Sequence, residues 1–515
     1  MTESADQNRE TLGLLGRLPL ELLNQVIYTL PNADIKNLRL TCSYLGTVSL
    51  PRLNRIFLST NPHDIEVFTS IADHDIFRFK VTEIIYDDSR FDSSYGTPHD
   101  VYIEGDEGDI GDVTGVPDWF RMVYSWTIYD LDSEQEYQYV PHVKEAFKTR
   151  CTPIESYAVY DKMYREQKKV IASNRDADAL RYGLSRFPNL KRVTLSPAAQ
   201  GILGRPLYPT PTVRSLQEGL ILPLARGWPV THSFEDYPLM PWDDRSRREW
   251  RGFCVVTKQI AQHIRQNPMS RFSELVVENR QLWTGISCRL FDNPVSDECR
   301  DLVTILSHPP LKRFELALAC GSEARENWRS FRSKLLFKAL SKAKNLQHLR
   351  FYTSIPLMSR RWHEFVEDEQ DGMPLWSIFP VNEWSSLRHF ALSRSFVKQR
   401  DVMSFISALP STLESVELSF LSFLPREGSY RSLLQDMRNN LGLRERPAAN
   451  QPKIIVFVVD RDDTRDGVVT DVSRAVEDFL YHQGQNPFVE GQTMEVLEGK
   501  GRLVDVLNPM YDEES

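Results

Sequence analysis

A small apolar pattern returns along most of the chain: an apolar residue, two others, a second apolar residue, one other, and a third apolar residue. It appears as Val81-Ile84-Tyr86, Leu190-Val193-Leu195, Phe272-Leu275-Val277 and Leu311-Phe314-Leu316. It continues as Leu346-Leu349-Phe351, Leu387-Phe390-Leu392 and Leu413-Val416-Leu418, with Ile454-Phe457-Val459 as an expected eighth copy. The last two apolar positions of each copy lie two apart, the period of a strand with one buried face. Helical spacing precedes most copies, over 176–187, 299–307, 330–343, 401–409 and 430–441. One strand and one helix per unit predicts an α/β or α+β fold whose units bury their apolar faces only against neighbours.

The N-terminal stretch follows a different period. In Gly16–Ser59, Leu22, Leu23, Val26, Ile27 and Leu30 recur at helical spacing. Pro19 suits a first helical position and Glu21 suits a first turn. Pro31 ends that helix, and Asn32 is expected to cap a second one bearing Ile35, Leu38 and Cys42. A third apolar segment runs from Tyr44 to Leu58, interrupted by Pro51. Three short helices in so few residues make too small a core to stand alone, so the module must lean on a neighbour or a partner.

Leu18-Pro19-x-Glu21-Leu22-Leu23, then Leu30-Pro31, then Ile35-x-x-Leu38-Arg39-Leu40-x-Cys42, resembles the F-box of many fungal proteins. That resemblance implies docking on the Skp adaptor of a cullin–RING ubiquitin ligase through Leu18, Pro19, Leu22, Leu23, Ile27, Leu30, Ile35 and Leu38. Many F-boxes carry a tryptophan shortly after the cysteine, where this chain has Tyr44-Leu45. The repeating body resembles the irregular leucine-rich-repeat-like domain that commonly follows a fungal F-box. Its steps, roughly 26 to 41 residues, exceed the roughly 20–29 of regular repeats, and no Asn or Cys follows the strand. The expected organisation is an N-terminal segment 1–15, an F-box at 16–60, a repeat solenoid at 61–505 and an acidic tail at 506–515.

Two insertions break the series. Residues 87–118 are rich in Asp, Glu and Gly, but Gly108 stands where a calcium loop wants an acid and no Glu closes the loop. A solvated insertion is the expectation. Residues 201–244 are proline-rich and read as a long loop, and residues 119–171 as helices beside the first strands.

Composition narrows the function classes. A formal charge of −9 argues against nucleic acid as the general partner, and the run Arg245–Arg251 reads as a solvated helix start. No apolar stretch approaches the ~20 residues that span a bilayer, so no membrane partner is expected. The six cysteines are scattered without a C-x-x-C, which predicts reduced thiols, a cytoplasmic or nuclear setting and no zinc. No phosphate-cradling loop, G-x-S-x-G elbow or H-E-x-x-H pair occurs. His348 and His389 occupy equivalent strand positions and are the nearest metal-like pair. The reading is therefore a non-catalytic receptor without cofactor. Its rivals are a repeat scaffold outside any ligase and an enzyme with a dispersed site.

If the apolar triplets face inward, the residues between them form a row on the concave side. Arg192, Thr194, Glu274, Arg313, Glu315, His348, Arg350, Tyr352, His389, Ser415 and Glu417 are then the candidate contacts for a protein substrate.

Overall fold

The structure is a computed structural model that describes residues 15, 18–91, 115–132, 147–201, 204, 206–229, 239–279, 284–321, 323–355, 372–459, 468–492 and 494–505. The segment containing Gly108, the N-terminal residues 1–14 and the acidic tail lie outside the described residues.

The strands, in chain order, are β1 Arg55–Ser59, β2 Glu83–Asp87, β3 Arg192–Ser196, β4 Glu274–Val277, β5 Ile286–Ser287, β6 Arg313–Ala319, β7 His348–Thr353 and β8 His389–Ser393. Then come β9 Phe396–Val397, β10 Ser415–Ser419, β11 Ser422–Phe423, β12 Lys453–Ile455, β13 Phe457–Val458, β14 Val468–Asp471 and β15 Arg502–Asp505. One parallel sheet runs β1-β2-β3-β4-β6-β7-β8-β10-β12, with β5 paired on β6. Each strand thus lies beside the next unit of the chain, in register: Val193 opposite Leu275, Leu275 opposite Phe314, Phe314 opposite Leu349 and Leu349 opposite Phe390.

The turns leading into the strands repeat one bonding device. The Thr82 carbonyl accepts from the N–H groups of both Lys191 and Arg192, at 2.9 and 3.0 Å. The Lys191 carbonyl does the same for Ser273 and Glu274, and that of Lys312 for Gln347 and His348. Each unit therefore sets the height of the next, which keeps the apolar triplets in rows.

Helices 62–73, 175–186, 251–266, 297–306, 335–340, 375–378, 399–407, 430–440 and 473–481 form one layer that follows the strand order. Their buried faces and the strand triplets share one core reaching from Ile56 to Met494. At roughly 1.5–3 kcal/mol per buried large apolar side chain, this shared core is the main stabilising term.

Several expectations change. The segment 44–58 is a helix Ser43–Val48 followed by β1, so the sheet begins inside the residues assigned to the N-terminal module. Alternating Ile56 and Leu58, both buried, were the strand signal. Ile454 pairs with Val416 and so holds the second apolar slot, with buried Val456 in the third. Phe457 and Val458 instead join an antiparallel sheet with β14 and β15. The helix expected over 330–343 is two short pieces, Arg329–Arg332 and Leu335–Leu340, because Lys334 between them is left-handed at φ 60°. Part of the proline-rich segment forms a strap: Leu207 and Tyr208 pack over Ile85 and Phe57 on the sheet face away from the helices. Helices Asp118–Asp132 and Pro153–Ser173 share a second core with Phe120, Tyr124 and Tyr160, as expected of that region.

Candidate functional site

The N-terminal module has a core of its own. Helices Leu20–Thr29, Asn32–Thr41 and Ser43–Val48 enclose Leu23, Ile27, Ile35 and Leu45, with Leu18, Leu30 and Leu38 packed partly against them. Leu23 and Ile27, four apart on one face of the first helix, turn inward together and meet Ile35 of the second helix, so none of the three presents its side chain to a partner. Pro19 and Leu22 are exposed, Leu22 at 46%. Leu20, Val26, Tyr28 and Leu40, which the resemblance did not place among the adaptor contacts, are exposed at 43%, 39%, 76% and 85%. Apolar residues on both faces of the helix Leu20–Thr29 were the available signal, since such a helix needs cover on two sides.

Asn32 does not cap. Its side chain exchanges two 2.8 Å bonds with the Arg52 backbone, and the Arg52 guanidinium donates to the carbonyls of Tyr28 and Leu30. The first helix's end is thereby tied to the linker that leads into β1, and Arg39 adds a bond to the Ser49 carbonyl.

On the sheet, the expected row exists. Arg192, Glu274, Arg313, His348, His389 and Ser415 stand opposite one another, with Thr194, Glu315, Arg350 and Glu417 two residues further along their strands. Their charges meet within the row: Arg192 pairs with Glu274 at 2.6 Å, Arg313 with Glu315 at 2.6 Å and Arg350 with Glu417 at 2.8 Å. Thr194 donates to Glu83, and His389 Nδ1 lies 2.7 Å from the Ser415 hydroxyl. Tyr352 is only 6% exposed, with the Arg350 guanidinium over its ring. The face is a belt of alternating charge that satisfies much of its own bonding.

Electrostatics follow from this crowding. Burial works against the Glu315 carboxylate, yet the His348 contact and the guanidiniums of Arg350 and Arg313 hold its pKa far below the usual range. Burial, helped by Arg313 and Arg350, pushes the His348 imidazole down to about 4 despite the opposing pull of Glu315. His348 is therefore neutral at pH 7, and its ring lies 5.3 Å from that of His389. Among the described residues, no group of three or more His, Cys, Asp or Glu could hold a metal ion.

The remaining buried acids hold the fold together. Asp88 accepts from Trp228 Nε1 at 2.8 Å and from the Gly252 N–H at 3.0 Å, anchoring the start of the helix Arg251–Gln266. A Cβ at position 252 would stand 2.3 Å from Asp88 Cγ, so glycine is required there. Asp176 accepts from Tyr86 and Arg251, both at 2.6 Å. Arg251 is thus drawn inward from the basic run, while helix Asp244–Glu249 before it is capped by Asp243. Burial raises Asp87 to about 7, against the bonds from Ser89. The six thiols are unpaired, four of them buried. No helix among the described residues is long and apolar enough to cross a membrane.

No protein-family model matches the chain, and no curated protein is significantly similar to it.

Proposed function

We propose that this chain is the substrate-recognition subunit of an Skp–cullin–F-box ubiquitin ligase, with the helices of 18–48 docking the Skp adaptor and the repeat body holding a protein substrate. The observation that carries the reading is the apolar surface left on those helices. Leu20, Leu22, Val26, Tyr28 and Leu40 stay exposed although the module has a core to bury them in. Burying such residues against an adaptor would stabilise the pair by roughly 1.5–3 kcal/mol for each large side chain fully enclosed. The body supports the reading through its order of units: consecutive strands in parallel and a single helix layer are what an irregular leucine-rich-repeat solenoid requires. The chain itself contributes no transfer chemistry; the receptor works by holding substrate near the ligase's reactive subunits.

The test is co-purification of the chain with the Skp adaptor, compared with Leu22→Asp and Val26→Asp combined. Both positions are exposed, so the substitutions spare the module's core. The wild-type chain retains the adaptor and the variant loses it. Failure of the wild type to co-purify, or equal retention by the variant, would sink the proposal.

A further inference from the structure

The belt of Arg192, Arg313 and Arg350 already meets its charges internally, so a recognition surface has to be sought beside it. The turns leading into β3, β4 and β6 carry Lys191, Arg271 and Lys312, all exposed. Arg271 donates to Asn189 Oδ1 at 2.9 Å, which draws its guanidinium toward the turn that bears Lys191. Among the described residues, none of the three forms an ion pair.

The local sum of charge is positive although the chain carries −9. Arg192 and Arg313 are answered by Glu274 and Glu315 within the belt, so the positive charge of this edge is that of Lys191, Arg271 and Lys312. A modest explanation is that these cations offset the C-terminal ends of helices 175–186, 251–266 and 297–306, which finish near these turns. Each helix end is worth only about half a negative charge and acts within its last turn. Three such ends leave an excess of positive charge unanswered.

A groove of about 490 Å3 opens on the same side, between the turns that lead into β3 and β4. Leu184, Pro188 and Ile260 contribute to its apolar surface, and Met269, 93% exposed, stands beside them. Arg271 and His263 also line it, and no Asp or Glu does. Burial, with His308 nearby, lowers the His263 pKa and so disfavours its charged form.

We propose that this surface binds an extended acidic segment of the protein substrate, which runs across the turns before β3, β4 and β6 and seats one apolar side chain in the groove. The spacing suits it. Lys191 and Lys312 are two strand steps apart, about 10 Å, which is about three residues of extended chain. The inference rests on the receptor reading only for calling the bound protein a substrate; the chemistry of recognition is independent of the adaptor.

The experiment is fluorescence anisotropy of the full chain with a short labelled peptide of Glu-Glu-Leu-Glu repeats. Lys191→Glu and Lys312→Glu together should raise Kd about tenfold, and Lys191→Gln with Lys312→Gln should raise it less, in the same direction. A charge-matched control on exposed positions of the helix layer, Lys258→Glu with Lys338→Glu, should stay within about twofold. Wild-type binding should weaken as salt is added. Equal weakening by rim and control variants, tighter binding of a single-stranded RNA of the same length, or no peptide binding by the wild type would each overturn the proposal. Adaptor co-purification in parallel separates the two claims, since loss of the peptide with retention of the adaptor leaves the receptor reading standing.

Discussion

His348 shows how a strand residue acquires its chemistry from the rows beside it. Its ring is partly enclosed between Glu315 and His389, with Arg313 and Arg350 within electrostatic reach. An ordinary histidine titrates near 6.5, whereas this one is pushed down to about 4, chiefly by burial. The unfolded chain therefore takes up a proton at a pH where the folded chain does not. The stability tied to this group is fully present above about 6.5 and is lost as pH falls toward about 4. His348→Gln should flatten that part of the profile, with a difference on the order of 2 kcal/mol between pH 7 and pH 4.5. Urea unfolding at both pH values checks it, and identical acid losses in the two proteins would contradict the assignment. The residues of this row could be picked out from their positions between apolar triplets. That Arg350 would reach Glu417, two strands away, could not, because the pairing depends on strand order and register.

At the scale of elements, helix-on-helix packing sets limits that propensity does not reveal. Helix Arg175–Arg186 lies against helix Pro62–Asp73, and Gly183 faces two enclosed rings. A Cβ at Gly183 would stand 2.3 Å from Phe68 Cζ and 2.8 Å from Phe187 Cε2. Alanine is the better helix former by about 1 kcal/mol, so propensity alone predicts that Gly183→Ala stabilises. The overlap should win instead, with a net loss of about 1–2 kcal/mol in chemical denaturation. Adding Phe68→Leu should reduce the loss from the alanine; the same penalty in both backgrounds would show that the ring is not the obstacle. This helix was visible from its spacing over 176–187. The region 330–343 was apolar enough to suggest one helix, yet the left-handed Lys334 divides it where Ser333 donates to the Phe291 carbonyl. Backbone conformation at such a junction is decided by what the next unit offers, not by local composition.

Across the whole molecule, cohesion is uneven. One core runs through nearly all the strand–helix units, while the N-terminal helices keep a small separate one around Leu23, Ile27, Ile35 and Leu45. A module of that size is marginal alone, and Asn32, Arg39 and Arg52 tie it to the linker that leads into β1. Hydrogen exchange should therefore show amides of helices Leu20–Thr29 and Asn32–Thr41 opening well before those of β6 and β7. Bound adaptor should slow the first set selectively. Equal protection of both regions in the free chain would show that the module and body open as one unit. The repeating unit was legible along the chain: apolar triplets at strand spacing, helices between them, and a helical module ahead of them. Those features are local, because side-chain period and capping act within a few residues. Long-range packing settled that β1 starts the sheet, that Ile454 rather than Phe457 aligns with Val416, and that Leu207 and Tyr208 strap the first strands. It also decided which apolar residues of the first helix turn inward and which charges find partners. Such outcomes depend on contacts between residues far apart in the chain, and neither period nor composition encodes which distant residues meet.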